Sequence, residues 1–302
     1  MRVVIALGGN AILKRSEPMT SKNQRRNVKR AAQAIAKIID AGHIVVITHG
    51  NGPQVGLMAL QNMAYDPALA SPIDCLVAET QGLIGYLLQQ ELGNATENGK
   101  EFITLLTQVE VDLDDVAFND PSKPIGPVYN KTEAATMTAK YDWTIMSDGN
   151  NFRRSIASPK PIRILEIESI KHLIEIGKIV ICAGGGGIPF YTCECGDHVG
   201  IDAVIDKDLA SGLLAHDIKA DALLLLTDVD GVYLGWGTEQ QKRLSAISPA
   251  ELNTHSFAAG SMGPKVQAAI DFASLGKTMT GIGRLEDALE ILNGRAGTIV
   301  KI

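Results

Sequence analysis

His49-Gly50-Asn51-Gly52-Pro53-Gln54 follows the apolar run Ile44 to Thr48, and the same design opens the chain, where Val3 to Leu7 breaks into Gly8-Gly9-Asn10. Both runs are short and rich in β-branched residues, as buried strands are. After each, the chain needs backbone conformations that glycine adopts without a Cβ penalty. Successive N–H groups in such a turn, followed by the positive end of a helix, form a concavity suited to phosphate or carboxylate. Asn10 and Asn51 add neutral donors. One such loop would read as an ordinary strand-to-helix turn. Two loops sharing the Gly-Asn pair point to one anion site built twice.

Between these loops Val28, Ala31, Ala32, Ile35, Ile38 and Ile39 recur at helical spacing within Gln24 to Asp40, and Gly42 supplies a stop. Strand, helix, strand with a right-handed crossover makes the first two strands parallel and puts both glycine loops at one edge of the sheet. In open α/β sheets ligands sit outside that edge. Further along, Gln54 to Met63 and Pro72 to Leu92 read as helices and Phe102 to Thr107 as a strand. Between Asp112 and Pro161 the pattern breaks into acidic residues, five prolines and a weakly amphipathic Glu133 to Lys140, an excursion of flap character. The alternation then resumes: helix Ile164 to Ile176, strand Lys178 to Ala183, the run Gly184-Gly185-Gly186-Gly187, helix Lys207 to Ala215 and strand Leu223 to Leu226. It ends with helix Pro264 to Leu275, strand Thr278 to Ile282, helix Leu285 to Leu292 and strand Thr298 to Lys301. Such alternation over the whole length specifies an α/β fold with a mostly parallel sheet.

The composition is that of a soluble globular protein: 302 residues, 45% hydrophobic and 21% charged. With 28 Lys+Arg against 34 Asp+Glu the net charge is −6, so no global field attracts nucleic acid or an anionic membrane. Aromatic residues make up 5%, with no basic stripe for stacking on bases. Neither partner is expected. The first apolar run is too short for a signal peptide and no run reaches membrane-spanning length. A cytoplasmic protein follows, with its four cysteines, Cys75, Cys182, Cys193 and Cys195, expected as reduced thiols. Cys193-Glu194-Cys195 near His198 makes only half a metal site, so the segment reads as a surface loop and no protein metal site is expected.

Two nucleotide motifs and one calcium motif fail. Gly276-Lys277-Thr278 lacks the earlier P-loop glycine, where Asp271 stands, and the tetraglycine would place the third dinucleotide-fingerprint glycine on Pro189 or Phe190. Asp228-Val229-Asp230-Gly231 lacks the distal glutamate of a calcium loop.

Several longer segments are more specific: Ala6 to Ala11, His49 to Gly56, Lys123-Pro124-Ile125-Gly126-Pro127, Ser158-Pro159-Lys160-Pro161, Gly184 to Pro189, Ala203 to Asp208, and Gly260-Ser261-Met262-Gly263-Pro264-Lys265. Through them the chain resembles the amino acid kinase superfamily and, over its full length, the carbamate kinase family within it. The resemblance implies an αβα sandwich on a mixed, mostly parallel eight-stranded open sheet with a small protruding subdomain. It implies an N-terminal lobe, residues 1–178, that binds carbamoyl phosphate and carries the flap at about 112–161. A C-terminal lobe, residues 179–302, would bind ADP or ATP. The implied partners are these small molecules, with Mg²⁺ accompanying the nucleotide, in a homodimer.

Residue by residue, the resemblance gives Lys207 the transferring phosphoryl group, Lys265 the nucleotide phosphates and Lys123 the carbamoyl phosphate, with Asp208 orienting Lys207. Gly8, Gly9, Asn10, Gly50, Asn51 and Gly52 would cradle the substrate. Thr227, Asp228, Val229, Tyr233, Ser261, Met262, Gly263 and Pro264 would line the nucleotide pocket. Read alone, Asp206-Lys207-Asp208 is a solvated helix start with Asp206 as N-cap. Lys265 at a helix N-terminus opposes the macrodipole and so needs an anion nearby. The flap segment Ser147 to Arg154 keeps the family's paired arginines but carries asparagines where the family more often has arginine and an aromatic residue. Tyr191 to Asp197 is a cysteine-bearing variation. Another acid kinase of the same fold, or a non-catalytic binding paralogue, are the competing readings.

Overall fold

The computed structural model describes residues 1–14, 17–97, 99–149, 151–258, 262–276 and 278–302. Its frame is an eight-stranded sheet made of β1 (Arg2–Leu7), β2 (Ile44–His49), β3 (Phe102–Thr104), β4 (Ile179–Ile181), β5 (Ala222–Thr227), β6 (Ala246–Ile247), β7 (Met279–Arg284) and β8 (Thr298–Val300). The spatial order is β6-β8-β7-β5-β1-β2-β4-β3. All neighbours are parallel except β7 and β8, which pair antiparallel. β1 lies at the centre, with Val3 opposite Ala222 on one side and Val45 on the other. The sheet is therefore mixed and mostly parallel, as expected.

The unbroken apolar character of β1 and β5 follows from this position, since a central parallel strand is covered on both faces. Alternate side chains feed two cores. Val3, Ile5 and Leu7 pack on the side of α1 (Ser21–Asp40), α3 (Ile73–Ala95) and α9 (Ala288–Leu292), while Val4 and Ala6 face α5 (Ile167–Glu175), α6 (Lys207–Asp217) and α8 (Met262–Ala273). In α1 the buried stripe contains the six apolar residues picked out by their spacing. Thr20 caps the helix by accepting from Asn23 N at 3.2 Å, and Gly42 at φ +85 turns the chain into β2. Ile35, at the middle of that stripe, is fully buried, worth about 1.5–3 kcal/mol over exposure.

β4, the first strand after residue 178, sits between β2 and β3, so the sheet runs continuously through both halves of the chain. The excursion at 112–161 forms a three-stranded antiparallel sheet of Lys123–Tyr129, Asn151–Ile156 and Ile145–Asp148 together with α4 (Lys131–Tyr141). A capping box from Asn130 to Glu133 starts α4. Ile125 and Ile156 anchor this flap against Val55, Ala59, Ile73 and Val77 of α2 (Gly52–Tyr65) and α3. Gly56 of α2 meets Gly126 of the flap so closely that a Cβ on Gly56 would fall 2.3 Å from Gly126 Cα.

Three expectations need correction. Ile164 belongs to a two-residue strand, not to a helix: it pairs with Val109 and buries its side chain, and α5 starts only at Ile167. β3 ends at Thr104, because the Thr107 backbone N–H turns inward to the Gln81 side chain at 2.9 Å. The segment after the tetraglycine is a β-hairpin, Ile188–Thr192 with His198–Gly200, and Cys193 and Cys195 at its tip are joined as a disulfide rather than present as thiols. The turn, with Gly196 at φ +89, brings their Cα atoms to 5.3 Å. Cys75 and Cys182 are free. Among the described residues no helix is long and apolar enough to cross a membrane.

Candidate active site

The two Gly-Asn loops meet at the carboxyl end of β1, β2 and β5. Gly50 N donates to Leu7 O at 3.0 Å, and a Cβ on Gly50 would lie 3.3 Å from Gly9 N and 3.5 Å from Lys207 Cδ. Gly8 N donates to Leu226 O at 3.0 Å, with a virtual Cβ 2.9 Å from that oxygen. These glycines serve by close approach and not by unusual dihedrals, which corrects the sequence reading: Gly8 has φ −62, and positive φ values cluster instead at Gly185, Gly186 and Gly187. Side-chain bulk is what the crossing of loops excludes. Gly52 opens α2 with nothing near its virtual Cβ.

The tetraglycine turn backs the second cradle. A Cβ on Gly184 would strike the His49 ring at 2.4 Å, and one on Gly185 the Asn51 amide at 2.3 Å. Asn51 is buried, and its amide donates to Thr80 Oγ1 at 2.8 Å, while the Asn10 amide donates to the Asp228 carboxylate. Each asparagine thus already holds one protein partner and braces its loop. His49 is buried, which pushes its imidazole down to about 4, with the Lys207 ammonium acting in the same direction. A neutral ring therefore lies under the cradle at neutral pH.

Two lysines from distant parts of the chain converge on one carboxylate. Lys207 Nζ donates to Asp208 Oδ1 and Lys265 Nζ to Asp208 Oδ2, the latter at 2.8 Å. Asp208 is 3% exposed. Burial alone would raise its pKa, but the two ammonium groups outweigh burial and hold the carboxyl well below the ordinary range. For Lys207 burial dominates and lowers its pKa against the opposing pull of Asp208; for Lys265 burial is again the largest single effect, but Asp208, Asp206 and Asp228 together outweigh it and raise the pKa. Asp208 also supplies the anion that a lysine in the first turn of α8 requires.

Asp206 is the N-cap read from the sequence and has a second role besides. Its Oδ1 caps α6 by accepting from Asp208 N at 2.8 Å, and its Oδ2 accepts from Lys123 Nζ of the flap at 2.5 Å. An N-cap carboxylate thus links flap and lysine cluster. Sequence reasoning missed Asp206 as a partner of Lys123 because nothing in a capping pattern names a residue 83 positions away.

On the other side, Thr227 ends β5 and Asp228 and Val229 follow it. Tyr233 donates its hydroxyl to Asp230 Oδ1 at 2.8 Å, and Arg243 Nε lies 3.4 Å from Asp230 Oδ2. Met262, Gly263 and Pro264 open α8, with Gly263 N on Ala258 O at 2.9 Å. Ser261 lies outside the described residues. The arrangement joins backbone cradles and ammonium groups at one sheet edge, a setting for stabilising a transferring anionic group.

The comparison with known proteins agrees with this geometry. The model of the amino acid kinase family matches residues 1–282. The carbamate kinase of Haemophilus influenzae is 53% identical over 298 residues, covering 99% of this chain and 96% of that protein. The carbamate kinase of Rhizobium meliloti is 52% identical, covering 99% and 93%. The solved structure of Giardia lamblia carbamate kinase bound to AMP-PNP superposes with a TM-score of 0.89 at 40% identity, covering 99% of this chain and 98% of that one. Family match, full-length identity and shared architecture agree, and the chain belongs to the amino acid kinase family, among its carbamate kinases.

Proposed function

We propose that this chain transfers a phosphoryl group reversibly between carbamoyl phosphate and ADP, giving carbamate and ATP. The observation that carries the reading is the convergence of Lys207 and Lys265 on buried Asp208 beside the two touching cradles. Two phosphorylated anions must be brought together, and a pair of unit charges about 4 Å apart repels by about 4 kcal/mol at an effective dielectric near 20. Lysines and backbone donors offset this. A loose phosphoryl-transfer transition state asks the protein for positioning and charge stabilisation, with no covalent intermediate.

In this reading Gly8, Gly9, Asn10, Gly50, Asn51 and Gly52 hold the acyl phosphate, Lys207 follows the moving phosphoryl group, and Lys265 meets the nucleotide phosphates. Lys123 leaves Asp206 for the carbamoyl phosphate when the substrate is bound. Thr227, Asp228, Val229, Tyr233, Met262, Gly263 and Pro264, with Ser261, line the nucleotide pocket. Residues 1–178 would then form the carbamoyl phosphate lobe and 179–302 the nucleotide lobe. Mg²⁺ would enter on the nucleotide: the one cluster of three metal-ligating side chains among the described residues is Cys193, Cys195 and Asp197, at the hairpin tip, whereas phosphate oxygens suit this hard ion. Once bound it would neutralise phosphate charge. The same reading carries a homodimer in the cytoplasm.

The test is ATP formation from ADP with three donors supplied separately: carbamoyl phosphate, acetylglutamyl phosphate and aspartyl phosphate. Turnover confined to carbamoyl phosphate is expected. Turnover with one of the others alone assigns a sister acid kinase, and nucleotide binding without turnover of any donor assigns a binding paralogue.

A further inference from the structure

The disulfide between Cys193 and Cys195 sits at the tip of a hairpin that the phosphoryl-transfer reading does not use. It is poorly suited to be a structural staple. The two cysteines are separated by two positions, so the loop entropy removed from the unfolded chain is at the small end of the scale. The turn is also closed without sulfur: Cys193 N donates to Asp197 O at 2.9 Å and Gly196 N to Cys193 O at 2.9 Å. Below it the strands remain in register, Thr192 with His198 and Tyr191 with Val199, and Phe190 packs edge-on against the His198 ring at 4.8 Å. Breaking the sulfur bond therefore leaves the hairpin standing. Cys195 is exposed and Cys193 half-buried, so an incoming thiol can reach the bond.

We propose that Cys193 and Cys195 form a thiol–disulfide exchange site whose substrates are small thiols and dithiols. The thiolate of a dithiol attacks exposed Cys195 Sγ, the S–S bond breaks, and its electron pair leaves on Cys193 Sγ, which takes a proton from water. The second sulfur of the reagent then attacks its own sulfur in the mixed disulfide and releases Cys195. Two electrons and two protons have moved to the protein, and the dithiol has become a cyclic disulfide. The Asp197 carboxylate lies within 4.8 Å of both sulfurs.

Exchange at the tip stays local. Between the hairpin and Asp206 the chain is pinned by Ile201 N on Pro189 O at 3.2 Å, by Asp202 Oδ1 accepting from Ile73 N at 2.8 Å, and by Val204 N on Ala157 O at 3.0 Å. The lysine cluster is thus shielded from the sulfur chemistry.

The full chain, equilibrated in mixtures of reduced and oxidised dithiothreitol, is trapped with an alkylating reagent and mapped by mass spectrometry. Native protein is expected to gain label at Cys193 and Cys195 together on reduction and to lose both on reoxidation. Exposed Cys75 should be labelled throughout and buried Cys182 only after unfolding. In Cys195→Ser, Cys193 should label in both buffers. The unfolding temperature should differ by less than about 2 °C between the two states. A pair already alkylated in the oxidised buffer, a bond that yields only after unfolding, or a larger drop in unfolding temperature overturns the proposal. Because the readout is thiol labelling, failure of the exchange is distinguishable from failure of the kinase assay.

Discussion

Asp208 and Lys265, 57 positions apart in the chain, lie 2.8 Å apart, and the same carboxylate takes the ammonium of its neighbour Lys207. One buried anion thus holds two cations in reach of one place. Asp208→Asn preserves shape and removes the charge, leaving Lys207 with the burial that already lowers its pKa and less to oppose it. We expect the high-pH limb of the kcat profile to move to lower pH in Asp208→Asn, because Lys207 must stay protonated to act. An unmoved limb separates Asp208 from Lys207 protonation. In Asp208→Ala two largely buried ammonium groups lose their partner, and urea unfolding should register about 3–5 kcal/mol less stability.

Lys207→Ala removes the cation next to the Gly50 cradle. We expect kcat to fall by roughly 10²- to 10³-fold or more, the scale for losing one charge-stabilising donor, with the fold retained. Steady-state kinetics alongside circular dichroism checks both halves. Near-normal turnover takes Lys207 out of the mechanism.

Lys123 reaches Asp206 from the flap, whereas Lys265 lies across Asp208. Lys123→Ala should therefore weaken carbamoyl phosphate use and leave ADP affinity within about twofold. Calorimetry with each ligand alone decides it, and an effect falling mainly on ADP reverses the assignment.

Gly185 is confined by both geometry and neighbours: its φ is +69 and a Cβ would lie 2.3 Å from the Asn51 amide. Gly185→Ala should displace Asn51 from Thr80 and lower kcat, with about 1–3 kcal/mol of backbone strain besides. Gly82→Ala in α3, outside the site, is the control, since its virtual Cβ meets nothing. Equal losses in both variants would contradict the bracing role of the tetraglycine.

His49 gives a sign-definite pH effect. Its folded pKa, about 4, is below the ordinary histidine value of 6.5, so between these values the unfolded chain binds the extra proton. The stability at stake, of the order of 3 kcal/mol by linkage, is fully present above pH 6.5 and lost as pH falls toward 4. Urea titrations across that window should show this slope in the native chain and a flatter one in His49→Asn.

Much was legible in the chain before any coordinates. The stripe from Val28 to Ile39 and the apolar runs of β1, β2 and β5 specified helices and central strands, because local periodicity and two-sided burial are written residue by residue. The parallel pairing of β1 and β2, and with it the meeting of the glycine loops, followed from crossover handedness. Where neighbours outside the local window decide, the sequence falls short. Ile164 looks helical by spacing but is drawn into a strand by Val109, and the cysteine pair closes because a turn places its sulfurs together. The glycines looked conformational and proved to be steric, since close approach depends on a second segment that no local pattern contains. The charge network of the site belongs to tertiary structure alone. Lys123 and Asp206, or Lys265 and Asp208, become partners only when the sheet edge gathers them, and burial then makes each carboxylate indispensable to its lysine.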